Sequence, residues 1–512
     1  MPTSKQRRKS VALLAGLMLV VVAACGSRLP YSKVVAENAA LGGANAGQPA
    51  AIGSTTRGTT TGVGTSTSGG SRTGAGTSTS SGSTTGAGTS TSGGSRTGGG
   101  TSSALTTVPA ADTSDGSSAG SNSPTGGGSG SSVVASPTGP ATGSTVNVGQ
   151  IGSDSGLIGS IFGGAQPGAE VWAGYVNEHG GLNGHKVHLI TADDQTNPST
   201  ALSEAQTMVQ QDHVIAFIAL ANPLTIPTIA PYLEQEKVPV IGGGDLAEST
   251  WFTNPDFFPQ GASLRITLSG ALEQGIDHGD KKIGVIVCVE FALICSNASS
   301  LIDQTAPTIG GQVVYSASVS LAQPDYTTEC IDAKSAGANV LFLGMDNASQ
   351  IRFINDCDNQ DYHPQITTLS IAADSLELTS PVTVGTYTAG PVFPFNVVAP
   401  ATATFDQSFQ EITGAPATSE PEANAWVSGL VLQTAAKNFP VSNPTSADVL
   451  AGLYQIKDDD FGGLTSAMTY VQGQVTASPT CYYPLDVVQG GYSAPYGMQP
   501  QCLPASLASG TQ

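Results

Sequence analysis

From residue 146 onward, short runs of β-branched and apolar residues alternate with stretches in which apolar residues recur every three or four positions. No other feature of the chain narrows its fold as much. Up to residue 249 the pattern predicts strands over 146–151, 186–191, 214–219 and 238–241. Helices are expected between them, over 169–176, 198–211 and 224–235; in the first, Ala169, Val171, Trp172, Tyr175 and Val176 share one face. Such alternation builds a parallel sheet with helices on both faces. Ligands of these sheets sit beyond the carboxyl ends of the strands, which singles out the loops at 152–156, 221–225 and 242–245.

A link rich in Pro and aromatic residues, 251–259, leads to a second series of the same kind. Helices are expected over 262–274, 297–305, 325–336 and 348–358, and strands over 282–288, 312–316, 340–344 and 365–369. Helices over 422–439 and 446–454 and a β-rich tail follow. The expected fold class is therefore α/β, with two Rossmann-like parallel-sheet lobes that close on a small molecule through a hinge.

The chain before residue 145 has a different character. Residues 1–24 read as an export leader, with a basic start at Lys5-Gln6-Arg7-Arg8-Lys9 and an apolar run at 11–24 that is short for a membrane span. The run ends Val22-Ala23-Ala24-Cys25-Gly26, which resembles the lipobox of bacterial lipoproteins and makes Cys25 the expected lipidation site. Residues 25–144 are built mainly from Gly, Ser, Thr and Ala, and a repeat restarts at Gly64, Gly76 and Gly88. The repeat has no apolar position with which to stack, so a disordered tether is expected. A Gly-rich coil of about 118 residues reaches on the order of 60 Å.

Without the leader, 14 basic residues face 38 acidic ones, a balance near −24. With no clustered basic stripe, this excludes nucleic acid and anionic lipid surfaces as natural partners. Besides Cys25 there are six cysteines, Cys288, Cys295, Cys330, Cys357, Cys481 and Cys502. An even count in an exported chain argues for disulfides, with 15 possible connectivities. Pairing of sequence neighbours is the simplest of these. A zinc site is the weaker reading, because no C-x-x-C or H-x-x-x-H spacing occurs. No cofactor is expected.

Several segments carry a family likeness. Asn177-Glu178-His179-Gly180-Gly181-Leu182-Asn183-Gly184-His185-Lys186-Val187, then Asp193-Asp194, Asn197-Pro198 and Val238-Pro239-Val240-Ile241, resemble the leucine/isoleucine/valine-binding family. Phe461-Gly462-Gly463-Leu464-Thr465 is similar to a late turn of that family, and the likeness runs in order over about 146–492. The resemblance implies the type I periplasmic binding fold and a non-enzymatic receptor that hands a small solute to an ABC permease. It places lobe 1 at 145–259 and 383–459, and lobe 2 at 260–382 and 460–505, before a tail at 506–512. A lipid-anchored monomer on the outer face of the cytoplasmic membrane is expected.

Carried over residue by residue, the resemblance assigns ligand contacts to Ser155, to Ile161 or Phe162, to Asn222 and Thr225, and to Gly244, Asp245 and Leu246. Gly242 to Gly244 read either as a nest of open N–H groups for a carboxylate or as a tight turn. In the second lobe the family's loop aromatic aligns near Leu293, with Phe291 a substitute, and its ammonium-binding acid aligns near Ser370. Asp245 or Glu290 could replace that charge. An amide, a carboxylate or an aromatic acid therefore stands beside a branched-chain amino acid as the expected polar solute. A bridge between Cys288 and Cys295 would stiffen residues 289–294, or only staple a loop. No Gly-x-Ser-x-Gly, Walker, HExxH or complete Rossmann glycine motif occurs, which argues against an enzyme. A ligand-sensing or surface-interaction lipoprotein of the same fold is the competing reading.

Overall fold

The computed structural model describes residues 139–507, apart from residue 245 and residues 373–378. The expected leader, Cys25, nearly all of the tether, Asp245 and the last five residues of the tail lie outside the described residues.

The first sheet contains β1 (Val146–Gly152), β2 (Val187–Asp193), β3 (Phe217–Leu220), β4 (Val240–Gly243) and β5 (Phe257–Phe258), in the order β2-β1-β3-β4-β5, all parallel. Helices α1 (Ala165–Glu178), α2 (Pro198–Gln210) and α3 (Ile226–Glu236) connect its strands. Both faces are buried, as a parallel sheet requires. Val146 and Val148 pack with Trp172 and Val176 on one face, while Ile151 and Phe217 meet Met208, Ile229 and Leu233 on the other.

The second unit begins with α4 (Leu264–Asp277), β6 (Lys282–Cys288), α5 (Ala292–Thr305), β7 (Gln312–Val319), α6 (Thr327–Ala336), β8 (Val340–Gly344), α7 (Asn347–Asp358) and β9 (Gln365–Thr367). Next come β10 (Tyr387–Gly390), α8 (Ala403–Thr413), α9 (Glu420–Ala435), α10 (Ser446–Leu453), β11 (Cys481–Val488), β12 (Gly491–Ser493) and β13 (Gln501–Cys502). The second sheet runs β12-β11-β10-β9-β8-β6-β7, with β13 paired to β11. Its strands β6 to β10 are parallel, and β11 is antiparallel to β10, β12 and β13.

Two expected lobe boundaries move. The stretch from 383, assigned to lobe 1, instead supplies β10 to the second sheet, where Tyr387 aligns with Thr367 of β9 and with Asp486 of β11. The chain enters the first lobe only after Gly390, a strand that leaves no gap between β9 and β11. The stretch from 460, assigned to lobe 2, first contributes Phe461, Leu464, Met468 and Tyr470 to the first lobe's core. It rejoins the second sheet at β11. Neither β10 nor α8 is among the elements expected from the sequence. For α8 the signal exists, with Phe405 and Phe409 buried one turn apart and Gly414 in the left-handed region at its end.

The family-like segment at 177–187 is scaffolding. The Asn177 side chain donates to the Val187 carbonyl at 2.9 Å and accepts from its N–H at 2.7 Å, so it sets where β2 begins. Leu182 is buried and pairs with His185, whose ring nitrogens meet the Pro440 carbonyl at 2.7 Å and Ser144. The three disulfides join sequence neighbours: Cys288–Cys295, Cys330–Cys357 between α6 and α7, and Cys481–Cys502 between β11 and β13.

The return of the chain is fixed by α9, which packs against α1, β3 and β4 and is buried on nearly all sides. Glycines set how closely it approaches. A Cβ on Gly168 of α1 would lie 2.6 Å from the Glu422 carbonyl oxygen, and one on Gly429 of α9 would press into the Trp172 indole. Gly429→Ala gains helix propensity of about 1 kcal/mol but overpacks this contact. We expect a net loss of about 1–3 kcal/mol in urea unfolding; an unchanged or raised midpoint would show that the helices are not packed this closely.

Candidate ligand-binding cleft

The loops that leave β1, β2 and β3 at their carboxyl ends are tied together by two acids. Asp193 accepts the N–H groups of Asp154 and Ser155 at 3.1 Å each, that of Gln195 at 2.9 Å, and the Ser155 hydroxyl. Burial raises its pKa, but these donors outweigh that effect and hold the carboxyl below the usual range. Asp194, fully buried, accepts from the Ser153 hydroxyl and the Thr196 N–H at 2.7 Å each and from the Thr225 hydroxyl. The Ser153 N–H donates to the Ala221 carbonyl at 3.1 Å, so Asp154 and Asn222 each follow a residue of this contact.

Ser155 and Thr225, expected to face a ligand, thus have hydroxyls already engaged by Asp193 and Asp194. Of the two readings of Gly242 to Gly244, the open carboxylate nest is not the one formed. The Gly243 N–H donates to Gln260 Oε1 at 3.1 Å and the Gly244 N–H to the Leu220 carbonyl at 2.9 Å. These glycines finish β4 instead. Gly242 has φ +63°, and a Cβ on Gly244 would stand 3.1 Å from the Phe162 ring. Gln260 also donates to the Gly243 carbonyl and to Asn424 of α9.

Two polar groups on these loops are left over. Asn222 is 0% exposed, and neither its Oδ1 nor its Nδ2 has a partner among the described residues. Asp154 has both carboxylate oxygens buried and unpartnered. Its burial, then the charges of Asp193, Asp194 and Glu170, push its pKa up to about 7.

Between the lobes lies a cavity of about 80 Å³. Ile161, Phe162 and Leu246 wall it from the first lobe, and Phe291, Phe342 and Ile371 from the second, beside the Cys288–Cys295 bridge. Its polar lining residues are occupied. Thr368 donates to the Leu343 carbonyl at 2.9 Å, and Asp346 caps α7 by accepting from Ser349 N at 3.1 Å and Oγ at 2.7 Å. None of the lining residues is Lys, Arg or His. A polar solute was expected here, whereas the walls are carbon and sulfur. A larger cavity of about 200 Å³ adjoins Tyr362, His363 and Val382. It lies at the amino end of β9, away from the strand ends where ligands of such sheets sit.

The second lobe rearranges the expected contacts. Phe291 is buried on the wall, but Leu293 is 61% exposed and Ile294, next to the bridged Cys295, lines the cavity instead. Glu290 turns outward, accepting from the Ser320 hydroxyl at 2.6 Å and the Leu321 N–H at 2.8 Å. Ser370 is buried and donates to Glu420, the first residue of α9, which also accepts from Asn424 at 3.1 Å. A carboxylate therefore does stand beside Ser370, but it comes from the first lobe. Sequence reasoning missed Glu420, Phe342 and Ile371. Glu420 sits in Ser419-Glu420-Pro421-Glu422, which reads locally as a helix start and nothing more.

The Asp154 shift sets a pH dependence. Below about pH 4 the carboxyl is protonated in both the folded and the unfolded chain. Between about 4 and about 7 the unfolded chain has released this proton and the folded one has not, so stability falls as pH rises. Asp154→Asn should flatten that slope and raise stability at pH 8 by roughly 1 kcal/mol, the full shift being reduced by solvent screening. Unfolding at pH 4, 6 and 8 checks this; equal slopes in both proteins would place the titration elsewhere.

A profile of the periplasmic binding protein family matches residues 145–491. An amino acid binding protein of Pseudomonas aeruginosa is 26% identical over 222 residues, 42% of this chain and 54% of that protein. A Leu/Ile/Val-binding protein homolog of Brucella abortus is 25% identical over 35% of this chain and 48% of its own length. The chain thus spans about half the length of the curated relatives it matches. In fold it is similar to a fatty acid ABC transporter substrate-binding protein from Thermomonospora curvata, with TM-score 0.59 and 14% identity, over 73% of this chain and 96% of that one. With two parallel-sheet lobes and a cavity walled by both, the chain belongs to the periplasmic binding protein family.

Proposed function

We propose that the protein is the extracytoplasmic solute-binding component of an ABC importer, capturing a small solute between its lobes by closure and presenting it to the permease. One observation carries this reading: the cavity is walled by side chains of both lobes at the carboxyl ends of their strands. Ile158, Phe162, Ala165, Ala221 and Leu246 of the first lobe share one apolar cluster with Leu264, Phe291, Phe342 and Ile371 of the second. Opening the lobes exposes that surface, and a solute with an apolar body restores its burial. At about 25 cal/mol per Å² of apolar surface, this burial supplies the driving force for closure. The names of the relatives support a solute of this size class. A leader over residues 1–24, a lipidated Cys25 and a tether of about 118 residues would hold such a receptor at the outer face of the membrane as a lipoprotein.

Small-angle scattering and thermal unfolding test the reading together. Small solutes fractionated from cell extract should contract the purified protein and raise its unfolding midpoint, by about 2.7 kcal/mol at a hundredfold excess over Kd. Phe162→Asp should abolish both effects, because a buried unpaired carboxylate is costly. An extract that leaves both signals unchanged would sink the receptor reading.

A further inference from the structure

The interlobe cavity offers carbon and sulfur from both lobes. Ile158 and Phe162 of the first lobe line it with Leu264, Phe291, Phe342 and Ile371 of the second, each at most 9% exposed. The Cys288–Cys295 bridge adds sulfur to the same wall. Among the described residues only two polar side chains join the lining, Thr368 and Asp346, and both are engaged. The Thr368 hydroxyl donates to the Leu343 carbonyl at 2.9 Å and accepts from Gln350 at 3.2 Å. The Asp346 carboxylate accepts from Ser349 N and Oγ.

Two helices, α5 and α7, begin on this wall, and a helix start is where an anion is commonly held. At α5 the N–H groups of the lining residues Ile294 and Cys295 donate to the Phe291 carbonyl at 2.9 and 2.8 Å. At α7 the chain supplies its own carboxylate, Asp346, as the cap. No Lys, Arg or His lines the cavity among the described residues, and residues 245 and 373–378, next in sequence to the lining residues Leu246 and Ala372, contain none. A carboxylate or phosphate placed here would lose its water, gain no counter-charge and face Asp346. An ammonium would stand among carbon, with Asp346 already committed to α7. An uncharged hydrocarbon body meets neither cost.

Resting on the reading of the interlobe cavity as the solute site, we propose that the solute is uncharged and apolar. It is a small alkyl or aromatic molecule whose polar group, where it has one, is a neutral oxygen. This separates the site from one built for an amino acid, which brings two charges.

Titration calorimetry compares molecules of one shape and different charge: benzyl alcohol, benzoate and benzylamine, with 3-methyl-1-butanol, 3-methylbutanoate and 3-methylbutylamine as the branched series. An alcohol should bind about ten-fold more tightly than either ion of its series. Ile294→Lys, at a half-buried wall position, should bring the carboxylate to within about two-fold of the alcohol, a gain that misfolding would not give. Leu369→Lys, at another half-buried wall position, serves if the first variant does not fold. An ion that matches its alcohol on the unaltered protein would overturn the proposal, as would a folded lysine variant that gains nothing for the carboxylate. Small-angle scattering with cell extract separates the two readings. Extract freed of ions on a mixed-bed resin should contract the protein as untreated extract does. If only untreated extract contracts it, the uncharged class falls and the receptor reading stands. If neither does, both fall.

Discussion

The contact between α1 and α9 is the constraint on which the two-lobed arrangement rests. The chain leaves the first lobe after β5, builds most of the second sheet, and must come back. It is recaptured where Gly168 and Gly429 let two helices approach closely enough for Trp172 and Trp426 to be buried in one core. That core also holds Phe405, Phe409, Phe461 and Tyr470, so the late part of the chain completes the first lobe. Without this contact β3 and β4 would lose the cover of α9, leaving α1 alone on that face of the first sheet. Parallel sheets are not found that way, because both faces are apolar.

The same helix reaches the cleft. Its amino end places Glu420 against Ser370 of the second lobe, while Asn424, one turn on, meets Gln260, which itself clamps the end of β4. Lobe closure, the geometry of β4 and the position of α9 are thereby linked through one buried hydrogen-bonded chain. Such chains are stable when every member is satisfied. The first-lobe loops follow the same rule, with Asp193 and Asp194 taking up the donors around them. Asp193 and Asp194 therefore act as the internal frame of the loops.

Much of this fold was legible because hydrophobic period is a local property. The strands at 146–151, 282–288 and 340–344 each appear within a residue or two of expectation, and the neighbour pairing of cysteines holds. What was not legible depends on partners distant in sequence. Nothing around Tyr387 says that it pairs beside Thr367 rather than in the first sheet, and nothing in Ser419-Glu420-Pro421-Glu422 points to Ser370. At Gly242 to Gly244 the local pattern allowed two conformations. The choice was made by Gln260 and Leu220, which occupy the N–H groups that a ligand would have used.

That last difference shows how one scaffold can change what its loops offer without changing its topology. A receptor's fold fixes where the cleft lies, and the loops at the strand ends decide what enters it. Here the second-lobe wall includes the bridge from β6 to α5, next to which Ile294 lines the cavity while Leu293 lies outside. The first-lobe donors are bound to internal acids. The interlobe cavity that results is walled mainly by carbon and sulfur. The first-lobe loops keep Asn222 buried with no partner for its amide among the described residues, a position that an ordered water or an incoming polar group would complete.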